Sequence, residues 1–101
     1  MNIENWDQLR DFLLIQSNNI SKVIDKIKNI SLPVVWRRED NGVTFVWDNE
    51  SQYIDVEFMK DGKYEWFAKN RKTEEVLGTF EDLDSELPQQ FYDFLERYFH
   101  V

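Results

Sequence analysis

The chain has 101 residues, no cysteine and a formal net charge of −8. This length fits one small domain, and we expect residues 1–101 to form one. The lack of cysteine excludes disulfides, thiolate catalysis and cysteine-based zinc sites. The acidity argues against direct binding of nucleic acid, because such binding requires lysine and arginine to neutralise phosphates.

The sequence carries no targeting or membrane signal. Residues 1–7 have neither a basic nor an apolar region, so we expect no signal peptide. No apolar run approaches the ~20 residues that a membrane span needs. These features, together with the absent cysteine, predict a soluble, cytoplasmic protein that does not bind membranes. Aromatic residues make up 16% of the chain, enough large rings to supply a core.

In residues 1–32, apolar residues recur with the period of a helix, so we predict a helical segment. Apolar residues recur at spacings of three, four and seven, as on one helix face: Trp6, Leu9, Leu13, Ile20, Val23, Ile24 and Ile27. Asn2 or Asn5 is the expected cap. The polar run at 17–19 is weakly helical, because its side chains compete for backbone hydrogen bonds. One long helix and two short helices both fit, and the heptad through the polar run favours one helix or a kinked pair.

Residues 33–81 alternate with the period of two that is typical of strands. Strand patterns at 34–39, 43–48, 52–59, 64–69 and 74–80 are separated by short polar or glycine-containing turns. Connections this short require antiparallel neighbours. The pattern therefore predicts an antiparallel sheet, a meander of four or five strands.

Residues 84–100 are predicted to form a C-terminal helix, with Asp84 or Ser85 as its cap and Pro88 in its first turn. An aromatic stripe at helical spacing is assigned to core packing on the sheet: Phe91, Phe94, Leu95, Tyr98 and Phe99. The N-terminal helical segment is expected to share that sheet face. The fold class is therefore α+β, an antiparallel four- to five-stranded meander with an N-terminal helical segment and a C-terminal helix packed on one face.

The second sheet face is expected to be largely exposed. Its candidate residues are Trp36 or Val35, Thr44, Val46, Tyr53, Asp55, Glu57, and either Tyr64 with Trp66 or Glu65 with Phe67. Tyr64, Trp66 and Phe67 are too close in sequence to share one face, so one aromatic is expected on the polar side. An exposed aromatic flanked by charge is a common anchor for a protein partner, whereas the plainer interpretation is a cross-strand pair that stabilises the sheet. Trp66 and Tyr53 are the candidate partner-binding aromatics.

The sequence contains no constellation of catalytic, cofactor-binding or metal-ligating residues. His100, the single histidine, lies beside the C-terminus, a poor position for a general base. The three glycines are too far apart to form a phosphate-binding loop. Acids alternate at 82–86, but the spacing lacks the glycine and glutamate of a calcium loop. We therefore predict that the protein is not an enzyme and uses no cofactor or metal.

Almost all of the net charge lies in residues 73–101, which hold eight acids and one base. Helix capping and edge protection account for some of these acids. We expect these acids to form one coherent surface in the folded chain. Opposite charge raises association rates and selects partners, so the acidic quarter predicts docking on a basic protein. The expected partner is a nucleic-acid-handling enzyme or toxin whose site normally takes phosphates. The candidate partner-binding acids are Glu74, Glu75, Glu81, Asp82, Asp84 and Glu86.

Size, acidity and the pattern of turns and aromatics resemble small acidic proteins of bacteria and their phages. Those include immunity proteins that block nuclease toxins, antitoxins and anti-CRISPR inhibitors. The stretch 53–67 followed by residues 71–73 also looks like a hairpin of small bacterial proteins, in which a helix opening on Leu-Pro follows, as at Leu87 and Pro88. The resemblance implies an inhibitor or immunity-type function and assigns no functional residue. The alternative is a structural or assembly module, a homodimer formed through the sheet face or an edge strand.

Overall fold

The computed structural model describes residues 3–13, 18–37, 42–59, 63–82 and 86–101, and this part of the chain confirms the α+β class. The helices are α1 (Trp6–Leu13), α2 (Asn18–Lys26) and α3 (Gln89–Phe99). The strands are β1 (Val34–Arg37), β2 (Val43–Asp48), β3 (Gln52–Phe58), β4 (Lys63–Asn70) and β5 (Val76–Asp82). They form one antiparallel sheet in chain order, the predicted meander with all five strands.

The N-terminal segment forms two helices, so of the two favoured alternatives, one helix or a kinked pair, the single helix is wrong. Arg10 on α1 forms an ion pair with Asp25 on α2. In one straight helix these residues would lie about 22 Å apart, at 1.5 Å per residue. The Asn5 side chain accepts a hydrogen bond from the Gln8 backbone N–H at 2.9 Å, so Asn5 is the cap of α1.

One face of the sheet, the inner face, carries the hydrophobic core. Phe91 of α3 packs its ring 6.3 Å from that of Trp47 and 5.7 Å from that of Trp66. The apolar faces of α1 and α2 complete the same cluster. The buried hydrophobic residues of the three central strands are Val43, Phe45, Trp47, Ile54, Val56, Phe58, Tyr64, Trp66 and Ala68. The helices therefore cover one face, as the alternation predicts.

Helix α3 begins at Gln89, later than the predicted start at residue 84. Pro88 is its N-cap, with an extended backbone (ψ 153°), rather than a residue of its first turn. A proline also pushes the residue before it away from helical geometry, so Leu87 does not extend the helix backwards. The predicted caps Asp84 and Ser85 lie outside the described residues.

Hydrogen bonds connect the segment between α2 and β1 to the C-terminal end of the chain, to α1 and to β2. Ser31 N–H donates to the Phe99 carbonyl at 2.9 Å, and Ile30 bridges to His100. The indole N–H groups of Trp6 and Trp47 donate to the carbonyls of Ile30 and Ser31, each at 2.7 Å. These bonds anchor the link between α2 and β1 on the inner side. No helix in the described ranges is long and apolar enough to cross a bilayer.

The turn between β4 and β5 determines where the last strand begins. Glu74 has a φ of 63°, in the left-handed region that a non-glycine residue seldom adopts. An extended strand cannot include that geometry, so β5 begins at Val76 instead of at residue 74. On β5, Gly78 lies so close to β4 that an added Cβ would stand 2.7 Å from the Trp66 carbonyl oxygen.

Replacing Gly78 by alanine should therefore destabilise the fold. The contact is with backbone rather than with a flexible side chain, so the strand must shift, at a cost of about 1–3 kcal/mol. Urea unfolding of Gly78→Ala measures this cost. The exposed neighbour Val76→Thr is the control and should leave the midpoint nearly unchanged. Equal midpoints for Gly78→Ala and the unsubstituted chain would contradict the close approach of β5 to β4.

Candidate functional site

The sheet face opposite the helices is uncovered by any residue that the structure describes. Antiparallel partners that lie directly opposite each other point to the same face, so the strand register identifies its members. We call this side the outer face. Its described side chains are Val34, Trp36, Thr44, Val46, Asp48, Tyr53, Asp55, Glu57, Lys63, Glu65, Phe67, Lys69 and Val76.

Two aromatic rings of the outer face are open to solvent. Trp36 on β1 is 62% exposed and Phe67 on β4 is 40% exposed. Trp36 stands opposite Thr44, while Phe67 stands between Asp55 and the side-chain-free Gly78. Val34 and Val76, on the two edge strands, are also more than half exposed. The outer face thus presents aromatic and aliphatic groups near both edges of the sheet.

Trp66, a candidate aromatic anchor, is on the wrong face for that role. It is 2% exposed and packs against Phe91 in the core. The cause is the register between β3 and β4, because Trp66 lies opposite Val56, which is buried in the core. The same register turns Phe67 outwards. The prediction that one aromatic faces the polar side is therefore confirmed, but that aromatic is Phe67.

Three carboxylates lie on the outer face with the exposed rings, and we call Asp55, Glu57 and Glu65 the carboxylate trio. Glu57 stands directly opposite Glu65, and Asp55 precedes Glu57 by two residues on the same face. Burial raises the pKa of Asp55, and the charges of Glu57 and Glu65 raise it further, while a hydrogen bond from Tyr53 opposes the shift. The centre of the outer face therefore concentrates negative charge at a partly desolvated position.

Tyr53, the second candidate aromatic, is on the outer face as predicted. Its hydroxyl donates to Asp55 Oδ2 at 2.7 Å, and burial and that carboxylate raise the pKa of Tyr53 to about 12. Its ring lies 6.1 Å from Phe67 and 5.7 Å from the guanidinium of Arg71, which is itself paired with Asp48 at 2.7 Å. These groups border a shallow depression of ≈ 500 Å³, lined by Tyr53, Asp55, Phe67, Lys69 and Arg71.

The acids of the last quarter that can be located do not form one patch. The Glu75 carbonyl accepts from the Asn70 N–H at 2.9 Å, so Glu74 and Glu75 lie at the far end of β4. The Glu86 carbonyl accepts from the Tyr64 hydroxyl at 3.1 Å, near the start of β4. Six residues of strand, roughly 20 Å, separate the two ends. The expectation of a single coherent acidic surface is therefore wrong for these residues.

The other candidate acids do not restore a single acidic patch among the described residues. Glu86 forms an ion pair with Lys26 of α2 at 3.0 Å, which neutralises part of its charge. Glu81 and Asp82 are located only by their backbone pairings with Tyr64 and Lys63. Asp84 lies outside the described residues. Within the described ranges, no group of three or more histidine, aspartate or glutamate side chains is arranged to hold a metal ion.

Trp36 and Phe67 were each one of two alternatives for the outer face, and Trp66 rather than Phe67 was named as a candidate for partner binding. The residues of β1, Val-Val-Trp-Arg, do not alternate in polarity, so only the register, with Val35 opposite the core residue Phe45, determines that Trp36 lies on the outer face. For Phe67 a local signal was present, because the charged residues Glu65 and Lys69 share its parity on β4. Aromatic residues at both parities of β4 obscured that signal.

Asp55→Asn should stabilise the protein at neutral pH. The folded-state pKa of Asp55 lies above its ordinary value of 3.8, so the ionised form weakens the fold at higher pH, and protonation removes that cost as the pH falls. The gain should be under about 1 kcal/mol, because solvent screens a half-exposed group. It should vanish below pH 3.8, where the native carboxyl is also neutral.

Thermal unfolding of both chains between pH 3 and pH 7 measures this difference. Asparagine still accepts the Tyr53 hydrogen bond, so the substitution isolates the charge. Asp48→Asn is the control, because it removes the partner of Arg71 and should bring no gain. A lower melting temperature for Asp55→Asn at pH 7 would show that the carboxylate is stabilising and contradict the assigned cause.

Comparison with models of protein families, with curated proteins and with solved structures finds no match to this chain. The functional argument therefore rests on the geometry of the outer face and of the sheet edges. The resemblance to immunity and anti-CRISPR proteins stays a prediction.

Proposed function

We propose that this chain is a cytoplasmic, non-enzymatic binding module that docks on a basic surface of a partner protein, as an inhibitor or immunity-type protein does. One observation carries the proposal. Two exposed aromatic rings, Trp36 and Phe67, share an uncovered sheet face with the carboxylate trio. The docking surface is thus the outer face rather than the acidic C-terminal quarter.

The exposed apolar groups support a binding role for this face. Five large apolar residues are exposed in the described parts of the chain, and four of them, Val34, Trp36, Phe67 and Val76, are on the outer face. Single exposed apolar residues are ordinary, but several on one face mark an interaction surface. Tryptophan is among the residues that most often dominate binding energy, because its ring buries a large area at little cost in side-chain entropy.

The charges of this face support a basic partner. Asp55 and Glu57 lie on β3, between the strands that carry the two rings, and Glu65 precedes Phe67 by two residues on β4. A partner that covers Trp36 and Phe67 therefore also covers these carboxylates. Lysine or arginine groups on the partner would satisfy them, whereas an acidic or apolar partner would leave negative charge desolvated. A surface that normally binds phosphates has the required positive charge, so the proposed partner class is a nucleic-acid-handling enzyme or toxin.

A homodimer is the second candidate, and the open sheet favours it. Both β1 and β5 are edge strands, and the outer face has apolar groups that a second copy could cover. The net charge of −8 opposes this arrangement, because two copies repel each other. A basic partner removes the same repulsion, which is why we prefer it.

The double variant Trp36→Ala/Phe67→Ala should lose partner binding while the protein stays folded. Both rings are largely outside the core, so thermal stability should change little, whereas anchors of this kind contribute about 2 kcal/mol or more each to binding. The tagged chain and the double variant are used to capture proteins from host extract. The captured basic protein is then purified and titrated calorimetrically with both forms.

Two controls separate charge from apolar contact. Val101→Ala removes an exposed apolar residue away from the outer face and should not alter affinity. Glu57→Lys with Glu65→Lys should slow association strongly at low salt, whereas Glu96→Lys on α3 should slow it much less. Unchanged affinity of the double variant would refute the outer face as the binding surface. Sedimentation of the free chain as a dimer that the double variant dissociates would favour the homodimer instead.

A further inference from the structure

Strand β5 is an edge of the sheet and has one unoccupied side. It pairs with β4 from Val76 to Asp82, and no described residue pairs with its other side. The backbone N–H and C=O groups on that side form a template for another strand. An extended peptide can add to such an edge, with main-chain hydrogen bonds supplying affinity and alternate side chains supplying specificity.

A groove of ≈ 170 Å³ runs beside this edge, between β5 and α3. Its apolar floor comes from Leu77 of β5 and from Phe94 and Tyr98, one turn apart on α3. The two α3 rings pack edge to face with centroids 4.9 Å apart, and Asn70 Nδ2 donates to the Tyr98 hydroxyl at 3.1 Å. The floor is therefore held in place, and its size suits one aliphatic side chain of an added strand.

Acidic residues stand around this edge and indicate what it accepts. Glu75 and Asp93 line the groove, with Arg97 as the one base among its lining residues. Arg97 lies over the Tyr98 ring at 5.4 Å. In sequence, β5 is preceded by two acids and ends on two more, so pairing with β5 of a second copy would bring acids beside acids. A basic strand would instead meet acids near both ends of β5.

We propose that the β5 edge and the adjoining groove bind an extended, basic segment of a partner protein by strand addition, with one apolar side chain of that segment seated over Leu77 and Phe94. This surface is separate from the outer face and does not depend on it. It gives Glu74 and Glu75 a role in partner binding at one end of the strand. Residues two apart in a strand point to the same face, so basic residues two positions before and after the seated apolar one would face Glu75 and Asp93.

The probe is the blocked peptide acetyl-Thr-Lys-Thr-Val-Thr-Lys-Thr-amide, whose lysines share one face with the valine; it is titrated into the isotope-labelled protein and followed by NMR. Its matched control has glutamate in place of lysine. The basic peptide should shift the amide resonances of β5 and of the facing side of α3, and should slow hydrogen exchange at alternate β5 amides. The acidic peptide should do neither. No binding of the basic peptide, or equal binding of both peptides, overturns the proposal.

Variants locate the site on the protein. Asp93→Lys should weaken binding of the basic peptide by about tenfold, whereas Glu96→Lys on the same helix should weaken it much less. Leu77→Ser should also weaken it, while Val76→Ser on the outer face should not, and dispersed spectra verify that both variants are folded. Trp36→Ala should bind the peptide normally, which separates this test from that of the outer face. Shifts confined to the outer face or to β1 overturn the proposal.

Discussion

The packing of Phe91 against Trp47 and Trp66 is the contact on which the rest of the structure depends. It holds α3 against the inner face, and the apolar faces of α1 and α2 enter the same buried cluster. Burial of such a ring contributes about 1.5–3 kcal/mol. Because the apolar faces of the described helices pack against the inner face of the sheet, none of these helices covers the outer face.

This one-sided packing determines what a partner can reach. An antiparallel sheet tolerates one solvated face, provided that its outward side chains are mostly polar. Here the outer face is mixed, with Trp36 and Phe67 beside three carboxylates. At the same time the sheet is not closed, so β5 keeps an open edge next to α3. Both surfaces combine apolar groups with negative charge, and this combination is the reason that we propose basic protein partners for both.

The periodicities were sufficient to predict the class and the order of elements. The alternation along β2 and β3 identified their buried sides correctly, and the stripe on α3 identified Phe91 and Leu95 as core residues. The boundary errors have local causes. Pro88 delays the start of α3, and the left-handed backbone at Glu74 delays the start of β5.

The site was less predictable, because it depends on register and on distances across the fold. A shift of one residue between β3 and β4 would put Trp66 in place of Phe67 on the outer face, and the local guide within β4 is only that the charged residues Glu65 and Lys69 share the parity of Phe67. Acids that are close in sequence were expected to be close in space. Strand β5 instead carries the chain along the length of the sheet, leaving Glu75 and Glu86 near opposite ends of β4.

The central claim is that the outer face is free in the isolated protein, and Trp36 reports on it directly. With a soluble paramagnetic agent, NMR measures how strongly solvent reaches each indole. The account predicts strong relaxation of the Trp36 indole and protection of the buried Trp47 and Trp66 indoles in the dilute, isolated chain. Protection of Trp36 equal to that of Trp66 would show that the face is already covered and would contradict the account.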